Sequence, residues 1–218
     1  MKITKRIISL LLTISLILPI SVISGAADNY EPKKNIFGNE IVANVYILYS
    51  TANTFFPHIW IYVENISNKS LTIGHYTLQK GEAVSMGCWS DRGDGNGVHY
   101  NLERYYCNEN TYFNNVYLKT TATESQLKAA SRCCSMFNFW TWGLNCALFA
   151  TMFWNCCSPR IIPYLFFPVL DGGIILLYGA KPVDFEISKL TNPKKVYKHT
   201  RDGLRVCCAE TLVTTVGV

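Results

Sequence analysis

The sequence predicts an α+β fold: an antiparallel β-sheet packed on a helix whose N-terminus carries a cysteine. Three observations lead there. Between residues 41 and 120, short runs rich in β-branched and aromatic residues alternate with turn residues. The pattern then changes at Thr123-Glu124-Ser125-Gln126, a capping-box sequence followed by Leu127, Ala130 and Cys134 at helical spacing. Finally, Asn145, a good helix N-cap, stands directly before the apolar run Cys146-Ala-Leu-Phe-Ala-Thr-Met-Phe-Trp154.

The elements follow in order. Lys2, Lys5 and Arg6 precede the apolar stretch Ile7 to Val22, and small residues follow at Ser24-Gly25-Ala26-Ala27. This is the layout of an export signal over residues 1–27, and the run is short for a permanent span. Residues 28–40 are polar, hold Pro32, Lys33 and Lys34, and read as a linker. A core over 41–158 begins with strands at Ile41–Tyr49 and His58–Glu64. The turn at Asn65 to Ser70 leads to a third strand, Leu71–Leu78, expected to form a hairpin with the second. Ala83–Trp89 is a fourth strand, Asp91 to Gly97 a loop, and Val98–Leu102 and Asn115–Thr120 are further short strands. Two helices close the core, the second ending at the Cys156-Cys157-Ser158-Pro159 break.

Residues 159–218 read as a C-terminal extension packed on the core. Within it, 161–180 is apolar enough to suggest a membrane span or membrane contact. Pro163, Pro168, Asp171, Gly172 and Gly173 divide it into runs too short to cross a bilayer, so packing on the core or on a partner is expected. Pro182 to Leu190 suggests a short helix, and Lys194 to Arg205 a solvated stretch.

Composition narrows the function classes. Removing Lys2, Lys5 and Arg6 from 20 basic and 15 acidic residues leaves a net charge of +2. So small a charge implies neither nucleic acid nor an anionic membrane as partner. Nine cysteines in an exported chain invite disulfides. The number is odd; with Cys146 set aside, eight remain, enough for four bridges, and the neighbours Cys133-Cys134, Cys156-Cys157 and Cys207-Cys208 are expected to take separate partners. With no C-x-x-C pair and no close His/Cys alternation, neither a zinc site nor any other metal or cofactor is expected. Arg92-Gly93-Asp94 spells an adhesion tripeptide that chance explains in a Gly/Asp-rich loop, and that loop lacks the ligand spacing of a calcium hand.

The residues with chemical potential are Cys146, His58 and His75. A thiol at a helix N-terminus meets a partial positive charge and free N–H groups, which favour the thiolate. An imidazole beside it serves as base or ion-pair partner, and the Cys146 N–H can help bind an oxyanion. His58 opens the alternating run His58-Ile-Trp-Ile-Tyr-Val63. In the expected hairpin His75 would lie opposite it and orient its ring, whereas a one-residue slip would put Tyr76 there. His99, between Val98 and Tyr100, could also face a cleft.

His58-Ile-Trp-Ile-Tyr-Val-Glu-Asn, Ile73-Gly-His-Tyr-Thr-Leu, Gly87-Cys-Trp, Tyr100-Asn-Leu-Glu and Asn145-Cys, in this order, resemble the circularly permuted papain-like superfamily. That group includes NlpC-type cell-wall peptidases and the lecithin:retinol acyltransferase group, and the likeness is nearest to secreted, largely uncharacterised bacterial members. It spans residues 41–158. It implies a permuted papain-like fold, Cys146 as nucleophile, His58 as base and His75 as orienting group. Such proteins often have small hydroxyl residues after Asn-Cys and a small residue before the histidine, where Ala147-Leu148 and Pro57 stand here. The expectation is a secreted thiol hydrolase or acyl-transfer enzyme acting on amide bonds in peptides, cell-wall peptides included. Two alternatives stand beside it: a non-catalytic, cysteine-rich secreted binding module with Cys146 in a bridge, and acyl transfer to or from a lipid.

Overall fold

Alternating strands and capped helices assemble as two layers in the computed structural model, which describes residues 32–50, 57–90, 96–108, 115–137, 139–183 and 195–207. The strands are β1 (Ile41–Ser50), β2 (His58–Asn65), β3 (Leu71–Ile73), β4 (Tyr76–Leu78), β5 (Ala83–Trp89), β6 (Gly97–Tyr100), β7 (Asn115–Thr123), β8 (Lys181–Pro182), β9 (Tyr197–Thr200) and β10 (Gly203–Val206). The helices are α1 (Leu102–Asn108), α2 (Glu124–Met136), α3 (Cys146–Cys157) and α4 (Pro168–Leu177). The result is α+β. The expected signal over 1–27, the first four residues of the linker, the core of the 91–97 loop with its tripeptide, and most of the suggested 182–190 helix lie outside the described residues. Pro32–Val218 forms one compact unit.

An eight-stranded sheet runs in the order β10-β9-β6-β5-β2-β1-β7-β8, with neighbouring strands antiparallel. Period-two alternation gives the central strands two buried faces. One face, with Val45, Ile47, Ile59, Ile61, Val84 and Met86, packs with Ala147, Phe149, Ala150, Phe153 and Trp154 of α3. On the other, Tyr46, Leu48, Trp60 and Tyr62 form a second, aromatic cluster. The C-terminal extension supplies both sheet edges, β8 at one side and the β9–β10 hairpin at the other. The solvated stretch expected over 194–205 is thus largely strand, with His199 buried.

The expected β2–β3 hairpin does not form. β2 pairs with β1 and β5, while β3 and β4 make a separate two-stranded sheet. Asn65 is the reason. Its side chain donates to Lys69 O at 2.7 Å and Leu78 O at 3.3 Å and accepts from Ser67 N at 3.0 Å, and its N–H donates to Glu82 O at 2.9 Å. These bonds close β3–β4 as a self-contained excursion and return the chain to β2 as β5. His75 therefore sits in the exposed β3–β4 turn rather than across from His58.

The expected capping box is present at α2: Thr123 accepts from Gln126 N, and Gln126 Oε1 accepts from Thr123 N at 3.0 Å. The 161–180 stretch is broken as its prolines suggested, into a loop and the ten residues of α4. No helix among the described residues is long and apolar enough to cross a membrane. No bridge links Cys88, Cys133, Cys134, Cys146, Cys156 and Cys157, which are free thiols, so the bridges expected of the cysteines are not formed among these six. Cys208 and the side chain of Cys107 lie outside the described residues. The described residues hold no cluster of three or more His, Cys, Asp or Glu arranged for a metal ion.

Candidate active site

Asn145 builds the helix end that carries the thiol. Its extended backbone and side-chain oxygen cap α3, with Oδ1 accepting from Ala147 N at 3.0 Å and Leu148 N at 3.2 Å. Cys146 is the first helical residue and is buried, with the partial positive charge of the helix end beneath it. Asn145 also ties down the flanking loops, its Nδ2 donating to Trp142 O at 2.9 Å and Phe166 O at 3.1 Å.

His58 stands where the β2–β5 ladder has ended. The pairing stops at Ile61↔Met86, so Gly87 and the chain after it run beside His58–Trp60 without ladder bonds. Glu103 of α1 enters this gap and its Oε1 lies 3.2 Å from His58 Nε2, both side chains buried. Gly87 makes the room. A Cβ there would fall 1.9 Å from Glu103 Oε1 and 2.8 Å from His58 Nε2.

Glu103 is held from three sides. Trp89 Nε1 donates to its Oε1 at 2.7 Å, Ser85 Oγ donates to its Oε2 at 3.0 Å, and His58 completes the set. The Trp89 ring also lies against the imidazole, with centroids 4.0 Å apart. A buried carboxylate with this many donors has its negative charge compensated.

The electrostatics of His58 register the thiol. Burial by itself would lower its pKa. The charge and hydrogen-bond interactions with Cys146, then those with Glu103, outweigh burial and lift it to about 9. The imidazole thus lies between Cys146 and Glu103, both of which favour its cationic form. Cys88 is nearby in a different state, since burial, followed by the charges of Cys146 and Glu103, pushes its thiol up and keeps it protonated.

Two of the three residues expected at the site, His58 and Cys146, meet. The third, His75, is elsewhere, stacked on His199 with ring centroids 4.6 Å apart. The carboxylate on His58 is Glu103, the last residue of Tyr100-Asn-Leu-Glu. His99 is buried, with Nδ1 3.0 Å from Gly97 O, and does not line a cleft. The sequence concealed Glu103 because 98–102 reads as strand to its end. In the structure Asn101 takes a left-handed φ of 66°, which asparagine tolerates well, and α1 starts there, turning Glu103 back over β5.

No family model, no curated protein and no solved structure matches this chain.

Proposed function

We propose that the protein is an extracytoplasmic thiol hydrolase or acyl-transfer enzyme with Cys146 as nucleophile, His58 as acid and base, and Glu103 as the group that orients His58. The observation that carries this reading is the buried imidazole held between Glu103 and the thiol at a capped helix N-terminus. The chain order His58, Glu103, Cys146, with the cysteine helix packed on an antiparallel sheet, supports a permuted papain-like arrangement. Export rests on the N-terminal sequence, and amide bonds in peptides, cell-wall peptides included, remain the substrate class.

Chemically, Glu103 accepts the Nε2 proton, so the proton exchanged at the site travels through Nδ1. Cys146 sulfur attacks the acyl carbon, and the carbonyl electrons move to oxygen. Asn145 Oδ1 takes the N–H groups of Ala147 and Leu148 rather than that of Cys146, and the Cys146 N–H donates to the oxyanion. Collapse of the tetrahedral adduct breaks the C–N bond as His58 delivers its proton to the leaving amine. Water, or an acceptor nucleophile, then gives its proton to His58 and attacks the thioester, which releases the thiolate.

The test is hydrolysis of fluorogenic peptide amides and soluble cell-wall peptides by residues 28–218, which contain the whole compact unit. Cys146→Ala is expected to abolish turnover while the chain stays folded by circular dichroism. Turnover that survives the substitution would refute the mechanism. Cys146 recovered in a disulfide from the native protein would favour the non-catalytic binding module.

A further inference from the structure

The surface beside Cys146 breaks an ordinary rule of soluble proteins. Trp142 is 77 % exposed, Phe166 61 % and Leu177 81 %, and Phe167, Val169 and Leu170 are exposed with them. Such residues occur singly on most surfaces, but a grouped set marks a contact. Here the grouping is built. The Asn145 side chain bonds the backbone of both Trp142 and Phe166, Tyr164 Oη donates to Gly143 O at 2.8 Å, and the Tyr164 and Phe166 rings lie 5.0 Å apart. Phe166 holds a φ of 70°, which a bulky residue rarely adopts. α4 is turned so that Asp171, Gly172 and Ile175 face inward while Val169, Leu170, Leu176 and Leu177 face out.

The charges around this face choose its partner. From Ile161 to Ala180 the only ionisable groups besides tyrosines are those of Asp171, whose side chain is buried. Cations bracket the stretch at Arg160 and Lys181. Arg160 Nη1 donates to Tyr178 O at 3.0 Å, and its guanidinium lies 5.5 Å from the Tyr178 ring centroid. An apolar face edged by an aromatic ring and two cations matches the layering of a membrane surface, acyl chains inside and anionic headgroups at the rim. Ten helical residues reach about 15 Å, half a hydrocarbon core, so α4 can lie in an interface but not span it.

We propose that the face made by Trp142, the 165–167 loop and the outer side of α4 docks onto a lipid surface carrying anionic headgroups. Docking is independent of turnover at Cys146, so either can hold without the other. It would set the thiol beside the interface.

The test is flotation of residues 28–218, which lack the apolar 7–22 stretch, with phosphatidylglycerol or phosphatidylcholine vesicles. Binding is expected, tighter to phosphatidylglycerol. The double variant Leu170→Ser/Leu177→Ser is expected to lose at least about tenfold in partitioning with its circular dichroism unchanged. Lys181→Glu is expected to remove the preference for phosphatidylglycerol. Brominated lipids should quench wild-type tryptophan fluorescence, and Trp142→Phe should lose much of that quenching; this readout needs no folded serine variant. A chain that floats with neither vesicle overturns the proposal, as does undiminished binding by a folded double serine variant. So does a concentration-dependent dimer that the serines dissolve, because the occupant would then be a second copy.

Discussion

At the scale of single residues, the site depends on Gly87 having no side chain. The space a methyl would take belongs to Glu103 and His58. Gly87→Ala is therefore expected to cost about 1–3 kcal/mol of stability, as overpacking does, and to abolish turnover, measured by urea unfolding and steady-state kinetics. Glu103→Gln tests the carboxylate itself: it keeps the shape but removes the charge that helps hold His58 protonated. A fall in kcat on the order of 10²-fold is expected, with the alkaline limb of the pH profile moved to lower pH. In the unaltered protein that limb belongs near His58's value of about 9, where the imidazolium is lost. The same shift has a stability consequence. The folded value lies above the ordinary 6.5, so the stabilisation is complete below about 6.5 and disappears as pH rises through about 9. Cys146 and His58 were legible because each opens a patterned run. Glu103 was not, since its approach depends on the left-handed turn at Asn101, and sequence patterning carries no record of which β-strand a short helix returns to.

At the scale of elements, most strands and both long helices could be read from alternation and capping residues, and what failed was pairing. Asn65 to Ser70 reads correctly as a turn, yet its side-chain bonds fold β3 and β4 on each other and so separate His75 from His58. The β9–β10 hairpin was missed because lysines and arginines on its solvent side outweigh one buried position, His199. That histidine has Tyr100 Oη 2.9 Å from Nδ1 and Ser135 Oγ 3.4 Å from Nε2, and burial, then the charge of His75, lowers its pKa to about 4. The unfolded chain thus takes up the proton first. Stability is expected to fall as pH drops from about 6.5 towards about 4, and His199→Asn should flatten that slope in urea titrations across the window. α4 is set by Gly172, where a Cβ would come 2.3 Å from the Tyr49 ring.

At the scale of the whole molecule, the C-terminal extension is part of the fold, since it completes both sheet edges and lays α4 beside the cysteine helix. The apolar character of 161–180 was plain in the sequence. Which of its residues face outward was not, because Asp171 and Gly172, residues well suited to a surface, turn inward while Leu170, Leu176 and Leu177 are left exposed. The thiols behave similarly: nine cysteines behind an N-terminal sequence laid out like an export signal suggest cross-links, whereas Cys133, Cys134 and Cys157 are buried, unbridged core residues whose thiols burial pushes up. That contrast makes thiol reactivity the most direct test of the central claim, the activation of Cys146 by His58 and Glu103. Residues 28–218 would be alkylated with limiting iodoacetamide at pH 7 and each cysteine read by peptide mapping. Cys146 is expected to react faster than the other thiols, and His58→Ala to remove that advantage. A Cys146 that is inert, or that reacts equally fast without His58, would contradict the claim.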